Sequence, residues 1–436
     1  MIPARKVYLL LLLGIAIAPL LAIISNVSVS IFGIVLFDGI VLGLMVIDSY
    51  RIQPHKVQFK PRQLPPRLSI GRDNLVTLSV KSSNNPAKIQ ICDYYPTQFR
   101  VSTPTLSTFL PANSSQELTY TVHPTQRGEF AWGDIQIRQL GTWGLAWYNW
   151  KIPQSQKIKV YPDLVGLRSL SIRLTLQSAG SIRKSRQRGI GTEFAELREY
   201  SSGDDLRLID WKATARRNRP LVRVLEPEHE QTLIILLDRG RLMTAQVSGL
   251  KRFDWGLNAT LALALAGITR GDRVGVGVFD RQMHTWVRPE RGQNQLNQLI
   301  DRLTPIQPVL LESDYLGAVT NIVQQQTRRA LVVLITDIID NTASVELLVA
   351  LGRLTPKYLP FCVTLRDRQV DRLAHTFTTE IKAAYSRAVA LDLLSQRQVA
   401  FAQLRQKGVL VLDAPADRIT DQLVDRYLQL KARNQL

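Results

Sequence analysis

The chain has 436 residues, 45% of them hydrophobic and 7% aromatic, enough for two or three domains with sizeable cores, which excludes a predominantly disordered protein. Lysine and arginine outnumber aspartate and glutamate by 55 to 36, a formal charge of +19; acidic protein surfaces, anionic lipid and nucleic acid are the partners such a charge admits without choosing among them. The two cysteines, Cys92 and Cys362, lie far apart among apolar or aromatic neighbours. They offer neither a disulfide framework nor a metal-binding spacing, which fits a reducing compartment.

At the amino terminus, residues 7–24 and 27–47 form two apolar stretches around the short polar turn Ser25-Asn26. Each approaches the roughly 20 residues needed to span a bilayer, so the expected element is a membrane hairpin occupying residues 1–50. A secretory signal competes, because Arg5 and Lys6 precede the apolar run and Ala16-Ile17-Ala18 resembles a cleavage site. Pro19 just after that cut disfavours it, and a second span follows. Arg5 and Lys6 flank one end, Arg51, Lys56, Lys60 and Arg62 the other, and the turn is uncharged, so both ends are expected in the cytoplasm. Asp38 falls inside the second span, where a carboxylate is a functional candidate by default. A protonated Asp38 bonded within the hairpin or to a second copy is the plain alternative. Asp48 at the interface asks for no special account.

Residues 55–163 change to short alternating segments punctuated by turns. Residues 75–80, 117–122 and 135–138 alternate with period two, and Asn84-Asn85-Pro86 and Gln126-Arg127-Gly128 mark turns, so a β-sandwich is expected. Trp132, Trp143, Trp147, Tyr148 and Trp150 cluster near its end. They are expected to fill the core or its seam with the next domain; stacking of nucleic-acid bases is the rival use.

Residues 164–230 carry a charged, Arg-rich segment that feeds directly into the apolar run ending at Asp238. From residue 231 to 436 the pattern is regular α/β. Strands are expected at 232–237, 273–279, 330–335, 359–365 and 408–412, and helices at 253–269, 315–326 and 380–406. Alternation of this kind implies a largely parallel sheet covered on both faces, with ligands beyond the carboxyl ends of its strands. Asp238 follows the first strand and Asp337 the third, within Leu334-Ile335-Thr336-Asp337.

That pattern resembles a von Willebrand factor A domain. The resemblance implies a magnesium site built from Asp-x-Ser-x-Ser after the first strand together with a Thr and a second Asp. Here the segment reads Asp238-Arg239-Gly240-Arg241-Leu242, so Gly240 and Leu242 stand where the two hydroxyls belong. Mg²⁺ needs about six oxygens in near-octahedral geometry, and two protein ligands are lost. Asp238 and Asp337, with Ser313 or Asp314, remain a degenerate candidate metal set, opposed by the charges of Arg239 and Arg241. Pairing of those arginines with the two aspartates or with a partner carboxylate is the expected alternative, and no cofactor is expected.

The chain also resembles the bacterial domain-of-unknown-function 58 family, through Leu197-Arg198-Glu199-Tyr200, Gly203-Asp204-Asp205, Arg207, Ile209-Asp210-Trp211-Lys212 and Ala215-Arg216. The likeness extends to Gly144-Leu145, Val160-Tyr161-Pro162 and Arg241-Leu242-Met243. It implies partnership with a MoxR-type AAA+ ATPase in the maturation or regulation of a client protein. Read physically, Asp210 opens a short helix with Trp211 expected inward and basic residues outward. The carboxylates around Arg198, Arg207, Arg216 and Arg217 could form an ion-pair lattice clamping the segment to the sheet, or the same surface could bind a partner. Arg216, Arg217, Arg219 and Arg223 exceed the nearby acids.

Catalytic patterns are weak. His229-Glu230 begins like a zinc-protease helix, but Leu233 stands where the second histidine belongs. No phosphate-binding Gly-x-x-x-x-Gly-Lys loop is present, Gly275-Val276-Gly277 lies inside a strand, and the five histidines are scattered. The expectation is a non-enzymatic, membrane-anchored adaptor facing the cytoplasm, contacting partners through the Asp238/Asp337 edge and through Arg198, Arg207, Asp210, Trp211, Lys212, Arg216, Arg217, Arg239 and Arg241. A nucleic-acid-binding membrane protein, or an enzyme with a non-local active site, is the alternative.

Overall fold

A computed structural model describes residues 1–24, 27–52, 57–185, 193–226, 231–338, 345–376 and 380–433. Ser25-Asn26, Lys56 and His229-Glu230 lie outside the described residues. The chain falls into two compact units, Met1–Tyr161 and Pro162–Leu436. The first unit thus takes in both apolar helices and the strands that follow, which the sequence pattern separates at residues 50–55.

In the first unit, α1 (Arg5–Ile24) and α2 (Val27–Ile52) pack against each other. Residues Ile31–Ile52 of α2 are long and apolar enough to cross a membrane, and side chains such as Phe32 and Val35 are exposed. The Oδ1 of Asp38 lies close to Gly14 of α1 and is buried without a hydrogen-bond partner among the described residues.

Twelve short strands complete this unit: β1 (Ile2–Pro3), β2 (Gln58–Phe59), β3 (Leu68–Ser69), β4 (Asn74–Lys81), β5 (Ala87–Asp93), β6 (Phe99–Val101), β7 (Leu106–Leu110), β8 (Ser115–Pro124), β9 (Gly128–Trp132), β10 (Ile135–Leu140), β11 (Ala146–Ile152) and β12 (Gln156–Tyr161). They form sheets of order β1-β11-β10-β5-β7, β2-β4-β8-β6 and β3-β12-β9. Period-two alternation buries Val76, Leu78 and Val80 of β4 while Leu75 faces out, because successive side chains point to opposite faces of a strand. Trp132 is buried in this core, but Trp143 is 40% exposed under the guanidinium of Arg51, 4.5 Å from its ring centroid, so the aromatic cluster is divided between inside and outside.

Two buried carboxylates organise the unit. Asp93 receives Nε and Nη2 of Arg62 at 2.9 and 2.6 Å, the Tyr120 hydroxyl at 2.5 Å and the Trp132 indole N–H at 3.0 Å. Arg62 is therefore a buried structural cation, not a juxtamembrane charge available to lipid. Asp48, fully buried near the end of α2, accepts backbone N–H groups of Trp143, Leu145 and Ala146 at 3.0, 2.9 and 3.3 Å. Gly141 permits this approach, since a Cβ there would lie 2.1 Å from the Asp48 carboxylate. The same turn takes the Ala4 N–H onto the Leu145 carbonyl, so both outer ends of the helix pair are tied to the β10–β11 connection.

The second unit begins with α3 (Leu164–Ser185), capped by Asp163 through the Gly166 N–H. Its leucines at three- and four-residue spacing, Leu167, Leu170 and Leu174, are buried. Next come the antiparallel β13 (Glu193–Glu199) and β14 (Leu221–Glu226), with the short α4 (Trp211–Arg217) between them. The main sheet uses β15 (Thr232–Asp238); a small hairpin, β16 (Gln246–Val247) and β17 (Leu250–Lys251), then leads into α5 (Arg252–Thr269). There follow β18 (Arg273–Phe279), β19 (Met283–Glu290), α6 (Gln293–Leu303), α7 (Tyr315–Gln325), β20 (Leu331–Thr336), α8 (Val345–Gly352), β21 (Leu359–Arg366), α9 (Arg368–His375), α10 (Ile381–Gln406), β22 (Leu410–Pro415) and α11 (Ile419–Ala432). Sheet order is β19-β18-β15-β20-β21-β22, parallel except for the antiparallel edge strand β19, which the sequence pattern misses. Continuous apolar runs fill the inner strands because helices cover both faces.

Candidate functional site

In sheet order the first strand, β15, lies between the second, β18, and the later β20, so strand order reverses at β15/β20. The carboxyl ends of these two strands carry Asp238 and Thr336-Asp337 at the place where open α/β sheets bind ligands. Here the place is filled from within. Asp238 is fully buried and accepts hydrogen bonds from Ser313 Oγ (2.5 Å), Thr336 Oγ1 (2.6 Å), Tyr315 OH (3.2 Å) and the Gly240 N–H (2.7 Å). Burial pushes its pKa above the usual carboxylate range, and the four donors offset that rise only in part.

Asp337 is 2% exposed and sits between two guanidinium groups: Arg397 Nη1 at 2.7 Å and Arg252 Nη1 at 2.9 Å. Arg397 continues to Asp413 through Nη2 at 2.9 Å, and Asp413 also accepts from Thr364. Arg397 belongs to α10, Arg252 opens α5 and Asp413 lies in β22.

The two arginines expected at the aspartates go elsewhere. Arg239 pairs with Asp280 at 2.7 Å and Arg241 with the exposed Glu312 at 2.6 Å, because the chain turns away immediately after β15. Asp280 follows β18 as Asp238 follows β15, the same apolar-run-then-aspartate signal, and could have been found by it. Nothing local in the sequence marks Arg252 or Arg397.

The donor set does not fit a divalent cation. Asp337 is balanced by two guanidinium charges, Asp238 by hydroxyls and an amide, and Asp314 caps α7 by accepting the Gly317 N–H. Gly240 cannot regain the missing hydroxyl, since its Cβ would lie 2.0 Å from Ser313 Oγ and 2.8 Å from the Leu311 carbonyl. Among the described residues no group of three or more His, Cys, Asp or Glu side chains is placed to hold a metal. Burial also removes Asp238 and Asp337 from direct contact with a partner, which corrects the expectation that this edge is an interface through its carboxylates.

The Arg-rich segment is built differently. Arg198 forms a two-pronged pair with Asp204 at 2.8 and 2.5 Å, Arg219 pairs with Glu199 at 2.6 Å and Arg223 with Asp210 at 2.9 Å. All three pairs close within the β13–β14 module and do not clamp it to the main sheet. Arg219 and Arg223 are therefore not in excess. Asp210 is the N-cap of α4, accepting from the Lys212 and Ala213 N–H groups, and Asp205 caps the preceding turn through the Arg207 N–H. The Ala213 amide and then Arg223 hold Asp210 below the usual carboxylate range; Arg198 and then the Ser201 amide do the same for Asp204.

Trp211, expected inward, is 70% exposed, and Leu206 is 65% exposed. Position N1 of a seven-residue helix over a two-stranded hairpin offers no core deep enough to take an indole. Arg207, Lys212, Arg216 and Arg217 are exposed around them and have no ion-pair partner among the described residues.

Residues 196–396 match the family described as "Protein of unknown function DUF58". Uncharacterized proteins of Mycobacterium tuberculosis and Mycobacterium bovis are each 25% identical over 151 residues, covering 34% of this chain and 48% of theirs. The matched stretch thus spans about half the length of those relatives. An aerotolerance-related membrane protein from Bacteroides fragilis is structurally similar over 45% of this chain and 99% of its own, with 14% identity and a TM-score of 0.29. The Arg198–Arg216 motif, the Asp238 edge and most of α10 all fall inside the matched range, and over that range the chain is similar to the domain-of-unknown-function 58 family.

Proposed function

We propose that this protein is a membrane-anchored adaptor that binds a protein partner through the exposed α4 face of its β13–β14 module. The observation that carries the reading is the exposed pair Trp211 and Leu206 set among Arg207, Lys212, Arg216 and Arg217 on a module whose remaining arginines, Arg198, Arg219 and Arg223, are paired internally. An aromatic anchor ringed by cations matches the composition of interface hot spots, where Trp and Arg are enriched. The unpaired cations select an acidic partner surface. A MoxR-type AAA+ ATPase is the partner that the family resemblance suggests, acting on a client protein.

In this reading α1 and α2 form a two-span hairpin with both ends in the cytoplasm, where Arg5, Lys6 and Arg51 flank the apolar segments. The main sheet is a von Willebrand factor A-like domain that has exchanged its metal for the Arg252–Asp337–Arg397 bridge. The role is non-catalytic and metal-independent.

The test is affinity purification of the full chain in mild detergent, with and without an ATP analogue and with nuclease treatment, followed by mass spectrometry. Co-purification of an AAA+ ATPase that is lost in Trp211→Ala and in Arg216→Glu/Arg217→Glu is the expected result. Retention of the ATPase by both variants, or recovery of nuclease-sensitive material in its place, overturns the proposal.

A further inference from the structure

At the amino-terminal edge of the main sheet, opposite the Asp238 end, lies a cleft of about 960 Å³ between β19, α6 and the connection from α7 to β20. Four arginines line it: Arg273 at the start of β18, Arg288 on β19, Arg302 on α6 and Arg328 before β20. The carboxylate among the described lining residues is Glu290, which leaves a net of three positive charges. None of the four guanidinium groups has an ion-pair partner among the described residues, whereas Arg239, Arg252 and Arg397 of the same unit are all paired. Like charges gathered on one concave wall repel each other and raise the local potential, a cost that an anion entering the cleft removes.

The walls are held in place. Gln295, buried at the start of α6, donates to the carbonyls of Val274 (2.7 Å) and Arg288 (2.9 Å), fixing helix to edge strand beside the guanidinium groups. Pro289 packs directly over Gly275, where a Cβ would come within 2.8 Å of its ring. Trp286 lines the cleft on the strand that bears Arg288, and its indole N–H is buried without an acceptor among the described residues. Fixed backbone beneath exposed, unpaired arginines is the arrangement of a preorganised anion site. Its volume lies at the upper end of the roughly 300–1,000 Å³ range of small-molecule sites.

We infer that this cleft binds a ligand bearing several phosphoryl groups. Guanidinium forks match phosphate oxygens two at a time, and four of them suit more than one phosphoryl group. A single carboxylate leaves most of this charge unused. The phosphoryl groups can belong to a soluble oligophosphate or to a diphosphoryl lipid headgroup, which share this chemistry. The inference concerns a different surface from the adaptor face and stands or falls separately from it.

The experiment uses the full chain in phosphatidylcholine nanodiscs, titrated with inorganic tripolyphosphate by calorimetry and by tryptophan fluorescence, and repeated with cardiolipin in the discs. Saturable binding is expected, weakened at least about tenfold by Arg288→Glu/Arg302→Glu, with the fluorescence change lost in Trp286→Phe. Arg216→Glu/Arg217→Glu binds as the parent does. The exposed positions of Arg288 and Arg302 keep their variant folded, which circular dichroism checks. Loss of the tripolyphosphate signal when cardiolipin is present assigns the site to a lipid headgroup; persistence assigns it to a soluble ligand. Absence of saturable binding in both kinds of disc, or equal weakening by the two charge-reversal variants, overturns the inference.

Discussion

Replacing Asp337 by alanine tests whether the sheet edge is held by charge pairing. The carboxylate is 1% exposed in its side chain and sits 2.7 Å from Arg397 and 2.9 Å from Arg252; Arg397 is itself only 5% exposed. Removing one member of a buried pair leaves an uncompensated charge, which costs about 3–5 kcal/mol. Asp413, 2.9 Å from the other end of Arg397, keeps part of the compensation and points to the lower half of that range. With a urea dependence of about 3 kcal/mol per molar for a unit of this size, the midpoint falls by about 1 M. Pulse proteolysis of the full chain in detergent across a urea series reads that shift. Asp337→Leu/Arg397→Met, which removes both charges, recovers part of the loss, and the double-mutant cycle reports the coupling. Addition of Mg²⁺ leaves the parent midpoint unchanged. A shift below about 0.2 M in Asp337→Ala, or Mg²⁺ stabilisation that Asp238→Ala abolishes, would refute the charge-bridge account.

Asp48→Ala strips three backbone amides of their acceptor, at about 2 kcal/mol after water re-enters, so amide exchange at residues 141–146 rises roughly thirtyfold by hydrogen-exchange mass spectrometry; an unchanged rate contradicts the anchoring role. Gly240→Ser, which restores the missing hydroxyl in sequence, collides with Ser313 and Leu311 and lowers stability by about 1–3 kcal/mol without creating Mg²⁺ binding, as a denaturation midpoint with and without the ion will show. The Cys362 thiol is pushed up to about 12 by burial, with the Asp413 and Asp337 charges adding to the rise against Arg397, so it resists iodoacetamide at pH 8 until urea unfolds the chain. Its folded value exceeds the unfolded value of 9.0, hence its contribution is whole below pH 9 and is lost as pH rises from 9 towards 12. Cys362→Ala should flatten that part of the stability profile, and an identical decline in parent and variant counts against the assignment.

Much of the second unit was legible because its signals are local. Apolar runs of strand length between helical stretches mark β15, β18, β20, β21 and β22 to within a few residues, and each run needs only its own neighbours to be recognised. The edge strand β19 was not, since exposed Arg288 and Glu290 and the ring of Pro289 dilute its apolar pattern. The helix α3 lies inside a segment whose composition is dominated by charge, which masks it although its leucines recur at helical spacing. The general habit of indoles predicts Trp211 inward, and only the thinness of the two-stranded module puts it in solvent.

The sequence by itself determined which residues end the strands, and so set Asp238 and Thr336-Asp337 at the carboxyl ends of β15 and β20; the sheet order makes that place the switch point. It also determined that Gly240 and Leu242 replace hydroxyls, because a residue's chemistry is visible without its neighbours. Tertiary structure alone decided the partners. Arg397 is 60 residues from Asp337 and Ser313 is 75 from Asp238. Any of the chain's many arginines carries the same charge in sequence, but only those that α5 and α10 deliver to the end of β20 can share a buried carboxylate. Arg62 and Asp48 follow the same rule: each looks like an interfacial charge until the fold surrounds it with donors and acceptors too distant in sequence to foresee.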